Sequence, residues 1–351
     1  MNAVLTLIAL ILLRSYSSHG QSSEGTEVSF GREVSVCEDN AKCLDLNGDE
    51  YADQDQENLL ICSDRYEDCK GFADNGECSK NPGWMSVNCP NSCQYCHLRD
   101  PLIRCQRSFL NISSDPIYSA NDMSSMFQRI PTIFSLRYQI KVLSTSPWIY
   151  QFEDFISEDE INGLLTTVHQ WVRSTDTGEL NEFGEAGKVV SQGRTSMNAW
   201  CREECESNPH VISLYKKIEE ITLVPRSHYE SFQVLRYETG QKYNLHHDAD
   251  ESDNNLACGP RILTFFLYLS DVDEGGETAF PALGIAVKPK KGRAILWPST
   301  LEVTPNKIDI RTLHEARPVI RGVKLAANAW IHLYDFQKPN IWGCTGAFDD
   351  L

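Results

Sequence analysis

From Glu230 onward, short apolar runs alternate with turn residues: "SFQVLRY", "RILTFFLYL", "IAVKP", "RAILW", "IDIRTLHEA" and "KLAANAWIHLYDF". Strands at this spacing predict a β-sandwich or jelly roll. Upstream the period changes. In "SEDEINGLLTTVHQWV", Ser157 with Glu160 three residues later forms a capping box. Leu164, Leu165, Val168, Trp171 and Val172 then fall on one helical face. "NPHVISLYKKIEEIT" predicts a second amphipathic helix, and the two helices are expected to cover one sheet. Residues 174–195, between them, are rich in Gly, Glu, Ser and Thr and read as a long loop, the kind that often serves as a lid. Residues 97–146 carry no strong pattern and read as a connecting segment. The expected fold class is α+β: a double-stranded β-helix (jelly roll) flanked by helices over residues 147–340, plus a small disulfide-rich module.

The N-terminal part sets the compartment. "AVLTLIALILL", Ala3 to Leu13, is apolar but short for a transmembrane helix, and small polar residues follow it. Residues 1–20 are expected to be a signal peptide, with cleavage near Gly20 or retention as an anchor. A membrane is a partner only in the second case. Residues 21–60 are acidic and poor in apolar side chains, which predicts a flexible linker. Within them "DLNGDEYADQDQE" lacks the glycine spacing of a calcium loop, and Cys37 and Cys43 are placed to pair with each other. The net charge of −17 argues against a nucleic-acid partner.

Six of the thirteen cysteines lie in residues 62–96, "CSDRYEDCKGFADNGECSKNPGWMSVNCPNSCQYC". A segment this short cannot build a hydrophobic core, so three crosslinks are expected to substitute for one. Zinc is the weaker reading, because the cysteines do not form two C-x-x-C knuckles. Spacing alone leaves the pairing open. The stretch "GECSKNPGWMSVNCPNSCQYC" resembles the ShK-toxin-like domain. That resemblance implies the pairs Cys62–Cys96, Cys69–Cys89 and Cys78–Cys93, and a module appended to a secreted enzyme. Elsewhere Cys201 and Cys205 are close enough to pair, Cys258 and Cys344 have no assignable partner, and the odd total leaves one thiol over. Asn111-Ile112-Ser113 is a glycosylation sequon at Asn111.

"GQKYNLHHDAD" raises the question of a metal. On a strand, alternation puts His246 and Asp248 on one face and His247 on the other. A third ligand must come from elsewhere, among His169, His210, His228, His314 and His332. Two histidines and one carboxylate on one face hold Fe(II) with open positions, a geometry suited to an oxygenase. His314, in "RTLHEARPV", lies in a late strand, and Lys324 follows it by ten residues. A lysine directed into a barrel needs an anion.

The blocks "VLRYETGQKYNLHHDAD", "RILTFFLYLSDVDEGGETAFP", "LGIAVKPKKGRAILWPS" and "LHEARPVIRGVKLAANAWIH" resemble the catalytic domain of the prolyl 4-hydroxylases, 2-oxoglutarate/Fe(II) oxygenases of the collagen and plant cell-wall branch. The resemblance implies His246, Asp248 and His314 as iron ligands. It implies Lys324, with Tyr237 and Thr278, as the holders of 2-oxoglutarate, and Arg261, Trp330, His332 and Arg194 on the peptide side. Fe(II), 2-oxoglutarate, O2 and ascorbate are the implied cofactors. A proline-containing peptide is the implied substrate, and the endoplasmic reticulum lumen or the wider secretory pathway is the implied location. Leu245 stands where the family usually has proline, and His247 where it has an aromatic. "HEARPV" replaces the usual "HAGCPV". Two competing readings remain. One is hydroxylation of another peptidyl residue such as lysine. The other is an inactive scaffold carrying the toxin-like module as a secreted binding protein.

Overall fold

The computed structural model describes residues 62–180 and 186–346, together with two-residue strands at Cys37–Glu38 and Lys42–Cys43. The chain divides into two compact units, Met1–Ile61 and Cys62–Leu351. In the first, the two short strands pair antiparallel with Cys37 opposite Cys43. The expected signal peptide, most of the expected acidic linker and any Cys37–Cys43 bond lie outside the described residues. Among those described, no helix is long and apolar enough to cross a membrane.

The second unit is built on two antiparallel sheets. The larger has eight strands in the order 139–145, 148–153, 294–298, 261–268, 324–332, 233–237, 197–200, 172–173. The smaller has four, in the order 243–246, 314–316, 278–280, 285–287. The central strands of the large sheet are buried on both faces, so their sequences read as continuous apolar runs. Alternation still sorts them. Leu263, Phe265, Leu267, Ala327, Ala329 and Ile331 join a core shared with the helices. Phe266, Tyr268, Leu235, Tyr237 and Ala326 join a second core with Phe280, Val287 and Ala316 of the small sheet. The space between the sheets is therefore apolar at one end, and any polar residue pointing into it has been placed there against the hydrophobic effect.

Three helices cover the outer face. Asp122–Phe134 buries Met123, Met126, Phe127, Ile130 and Phe134 on one stripe. Glu158–Thr167 starts with the expected capping box, in which Glu160 N donates to Ser157 Oγ at 3.3 Å and Ser157 N to Glu160 Oε2 at 2.9 Å. Pro209–Thr222 matches the second predicted helix.

Several expectations are corrected. Residues 97–146 are not a patternless connection: they supply the helix 122–134 and the edge strand 139–145. The helix predicted through Val172 stops at Thr167, where the Thr166 and Thr167 hydroxyls donate back to the carbonyls of Asn162 and Gly163. Val172–Arg173 instead joins the sheet opposite Met197–Asn198. The long loop contains a β-ladder between Asp176–Leu180 and Ala186–Val189. "IDIRTLHEA" is a 3-10 turn, Ile310–Thr312, followed by a separate short strand, His314–Ala316. In each case sheet pairing or local side-chain bonding outcompetes the apolar period.

The module at 62–96 has the three implied disulfides, Cys62–Cys96, Cys69–Cys89 and Cys78–Cys93, around Met85. Cys201 pairs with Cys205. Cys344, left without a partner in the sequence reading, bonds Cys105 across 239 residues, and Cys258 is a buried free thiol. Asn111 is exposed at the end of a short helix.

Phe127 sits fully buried against Trp148 and Tyr150, with ring centroids 5.9 and 5.4 Å away. Phe127→Ala is expected to destabilise the second unit by about 3–5 kcal/mol in urea unfolding. A loss under about 1 kcal/mol would show that helix 122–134 is peripheral.

Candidate functional site

His246 and His314 face each other across the small sheet as direct partners on adjacent antiparallel strands. Their rings lie 4.3 Å apart. Asp248 follows two residues after His246, as the alternation required. Its carboxylate lies 3.9 Å from His246 Nε2 and 3.6 Å from His314 Nε2. One ligand atom from each of the three can be chosen so that all lie within 4.8 Å of one another. The opposite ring nitrogens are committed: His246 Nδ1 donates to Asn244 O at 2.8 Å and His314 Nδ1 to Thr312 O at 3.0 Å. Each Nε2 is thus left as the unprotonated, metal-binding nitrogen.

The electrostatics agree. Burial, then the neighbouring His314, pulls His246 down to about 3, and burial lowers His314 as well. Burial alone would raise the Asp248 carboxyl, but His314, His246 and the Thr264 hydroxyl more than offset it, and the group stays ionised. Thr264 Oγ1 donates to Asp248 Oδ2 at 2.6 Å. Two neutral imidazoles and a carboxylate are the donor set that a divalent iron takes, with the remaining positions open. His247 points elsewhere. Its Nε2 donates to Asp309 O at 3.1 Å, and Ala249 N donates to its Nδ1 at 3.1 Å. It ties the segment bearing Asp248 to the turn before His314.

Lys324 opens the strand 324–332, opposite Tyr237. It is fully buried. Its Nζ lies 5.2 to 5.6 Å from the ring centroids of Phe266, Tyr237 and Tyr268, and 3.5 Å from Thr278 Oγ1. Among the described residues no carboxylate pairs with it. Burial pulls the amine down to about 7, and the charge of Glu277 opposes the shift. Tyr237, Phe266 and Thr278 line a recess that also meets His246, Asp248 and His314. Lys324 lies behind that lining, with its charge unanswered. The site therefore fits a small dicarboxylate that chelates a metal at one end and meets an ammonium at the other.

The recess opens into a groove of about 630 Å³ lined by Arg194, Asn198, Trp200, Arg261 and Trp330, among others. Arg261 lies 3.9 Å over the Trp330 ring and donates to Asp248 O at 3.1 Å. Arg194 lies 4.7 Å over Tyr243. Buried polar atoms of this region, Trp330 Nε1 and Asn198 Oδ1, have no hydrogen-bond partner among the described residues.

His332 is a correction. It does not line the groove but sits buried behind it, with Nε2 2.8 Å from Glu230 Oε1 and Nδ1 donating to Gly259 O at 2.9 Å. Burial opposes charge on His332, yet the Cys258 and Glu230 side chains raise it to about 10. Burial likewise opposes charge on Glu230, but Arg261 and then His332 hold it down at about 2. Glu230 thus anchors Arg261, and sequence reasoning missed it, as it missed Thr264, Tyr243 and Asn198. Thr264 and Asn198 had a readable signal: each is a polar residue on the inter-sheet parity of an otherwise apolar strand.

Comparisons with known proteins place the chain among related sequences. A family model described as the 2OG-Fe(II) oxygenase superfamily matches residues 232–332, and one described as ShK domain-like matches residues 61–96. The chain is 34% identical over 224 residues to a probable prolyl 4-hydroxylase 9 of Arabidopsis thaliana, covering 59% of this chain and 75% of that one. It is 34% identical over 223 residues to prolyl 4-hydroxylase 2 of the same plant, covering 57% and 72%. A solved viral collagen prolyl hydroxylase from Paramecium bursaria Chlorella virus-1, in complex with 2OG, is 29% identical, with a TM-score of 0.41 over 52% of this chain and 95% of that one. The superfamily defines an iron- and 2-oxoglutarate-dependent dioxygenase. Within it, this chain belongs to the prolyl 4-hydroxylase family.

His314→Ala removes one of the three candidate ligands and leaves a hole on the buried face. Its affinity for Co(II), used as an air-stable probe and followed by visible absorption, is expected to fall by at least about 100-fold. Unchanged Co(II) affinity would remove His314 from the site.

Proposed function

We propose that the chain hydroxylates peptidyl proline at C4, consuming 2-oxoglutarate and O2 and releasing succinate and CO2. One observation carries this reading: three side chains able to hold a metal, from separated parts of the sequence, converge near a buried ammonium group that has no carboxylate partner among the described residues. Iron with 2-oxoglutarate bound would supply the oxidising power that inserts one oxygen atom of O2 into an unactivated C–H bond, and ascorbate would serve as the auxiliary reductant.

The protein's own work is binding, orientation and exclusion of water. His246 and His314 present unprotonated Nε2 atoms, and Asp248 contributes the negative charge, held in place by Thr264. Lys324 pairs with the distal carboxylate of the co-substrate in a setting without water, where an ion pair is strong. Trp330 and Arg261 form one wall of the groove where a proline ring would pack. The unpartnered Trp330 Nε1 and Asn198 Oδ1 offer a donor and an acceptor to a peptide backbone. The secretory pathway, with the endoplasmic reticulum lumen as the working site, is the compartment we assign. The disulfides of residues 62–96 and the Cys105–Cys344 and Cys201–Cys205 bonds support it, since such crosslinks persist under oxidising conditions.

Two tests follow. A collagen-like Pro-Pro-Gly repeat and poly-L-proline, each incubated with enzyme, Fe(II), ascorbate and 2-oxoglutarate, are expected to gain 4-hydroxyproline by mass spectrometry in step with succinate release. Oxidation at lysine with proline untouched would overturn the assignment. Separately, the free amine of Lys324 stands at about 7, and a bound carboxylate favours its charged form. Below pH 7 the amine is already protonated, and above it binding must take up a proton. The Kd for 2-oxoglutarate on Co(II)-loaded protein is therefore expected to rise by up to about tenfold per pH unit above pH 7. A flat profile would contradict the pairing.

A further inference from the structure

The disulfide module is packed against the C-terminal segment. Its helix Pro82–Asn88 buries six of its seven residues. Gly83 meets the backbone of the segment after strand 324–332: an added Cβ there would lie 2.6 Å from Trp342 C, 2.7 Å from Gly343 N and 2.9 Å from Ile341 O. No side chain fits without moving main chain. The Trp342 ring sits between Tyr95 of the module and Phe109 of the following segment, at 5.8 and 5.0 Å. Fully buried Arg104 donates from Nε to Trp342 O at 3.3 Å and from Nη1 to Arg99 O at 2.7 Å. Cys105–Cys344 then closes the contact covalently.

The held segment leads to the groove. Cys344 packs with Leu110 and Ala257, four residues before Arg261. Two residues beyond Cys344, Gly346 lines the groove, whose walls also include Asp250, Asp253, Arg261 and Trp330. Gly346 stands on a tail, residues 342–346, that has no helix or strand of its own to hold it at the groove. It is fixed from behind by the module's glycine and by the disulfide.

We propose that the module and the Cys105–Cys344 bond act together as a buttress that holds the tail so that Gly346 lines the peptide groove, and so set how tightly peptides bind. This rests on the hydroxylase reading given above. It also assigns the module's helix face: that face is covered by the protein's own tail and is not free to meet an outside partner. Gly83 and Cys344 are positioning residues, acting on peptide through the tail and on neither metal nor co-substrate.

The test compares the full-length wild type with Gly83→Leu and with the Cys105→Ser/Cys344→Ser pair. Readouts are half-saturation by poly-L-proline and by the Pro-Pro-Gly repeat, KM for 2-oxoglutarate, Co(II) affinity and melting temperature. Both variants are expected to raise the peptide half-saturation by about tenfold, with 2-oxoglutarate KM and Co(II) affinity unchanged. Should Gly83→Leu lose Co(II) binding, and so its fold, the cysteine pair decides. Unchanged peptide half-saturation in a variant that keeps Co(II) binding overturns the proposal, whatever happens to the melting temperature. If no peptide stimulates the wild type, the hydroxylase reading fails. If peptide stimulates wild type and variants at equal concentrations, only the buttress fails.

Discussion

A charged amine buried among aromatic rings is unstable without an anion. Lys324 is in that position. Rings of Tyr237, Phe266 and Tyr268 surround it, a threonine hydroxyl stands at 3.5 Å, and its pKa is drawn to about 7. Ring faces attract a cation, but by far less than the hydration it has lost. The fold keeps this unfavourable group behind the Tyr237, Phe266 and Thr278 lining of a recess that also meets two imidazoles and a carboxylate. A ligand with a carboxylate at one end and a chelating group at the other relieves both ends at once. The two-sheet architecture serves this arrangement. The small sheet holds the histidines as cross-strand partners, and the large sheet holds the lysine opposite them.

Outside the recess, charge is organised differently. Buried Glu230 and His332 and half-buried Arg261 form a row in which every charge has an opposite neighbour. The row fixes Arg261 over Trp330 and against the Asp248 carbonyl, linking the groove to the candidate metal site. The paired row supplies rigidity, whereas Lys324, with no carboxylate partner among the described residues, supplies affinity for a ligand. That contrast separates positioning groups from binding groups without reference to any relative.

Much of this was legible in the sequence. Alternation from His246 put Asp248 on its face and turned His247 away, and the structure places both as expected. Lys324 stood out as a cation heading an apolar strand. The capping box at Ser157 marked a helix start, because its two hydrogen bonds are local. Features that depend on distant contacts were hidden. The Cys105–Cys344 bond spans 239 residues and has no spacing signature. The helix at 122–134 has its apolar stripe, but Pro131 inside it and polar flanks masked the period. The end of helix 158–167 is set by sheet pairing of Val172–Arg173, which the helical period cannot foresee. His332 was put on the groove by resemblance. The acid that holds it behind the groove, Glu230, lies 102 residues away in sequence.

The central claim is that one small molecule bridges the metal triad and the buried amine. A crystal structure of the protein soaked with Mn(II) and 2-oxoglutarate, with the anomalous signal locating the metal, tests it most directly. The account predicts manganese on His246 Nε2, Asp248 and His314 Nε2, and the distal carboxylate within ion-pair distance of Lys324 Nζ. Metal bound elsewhere, or a co-substrate whose distal carboxylate faces solvent while Lys324 stays unpaired, would contradict it.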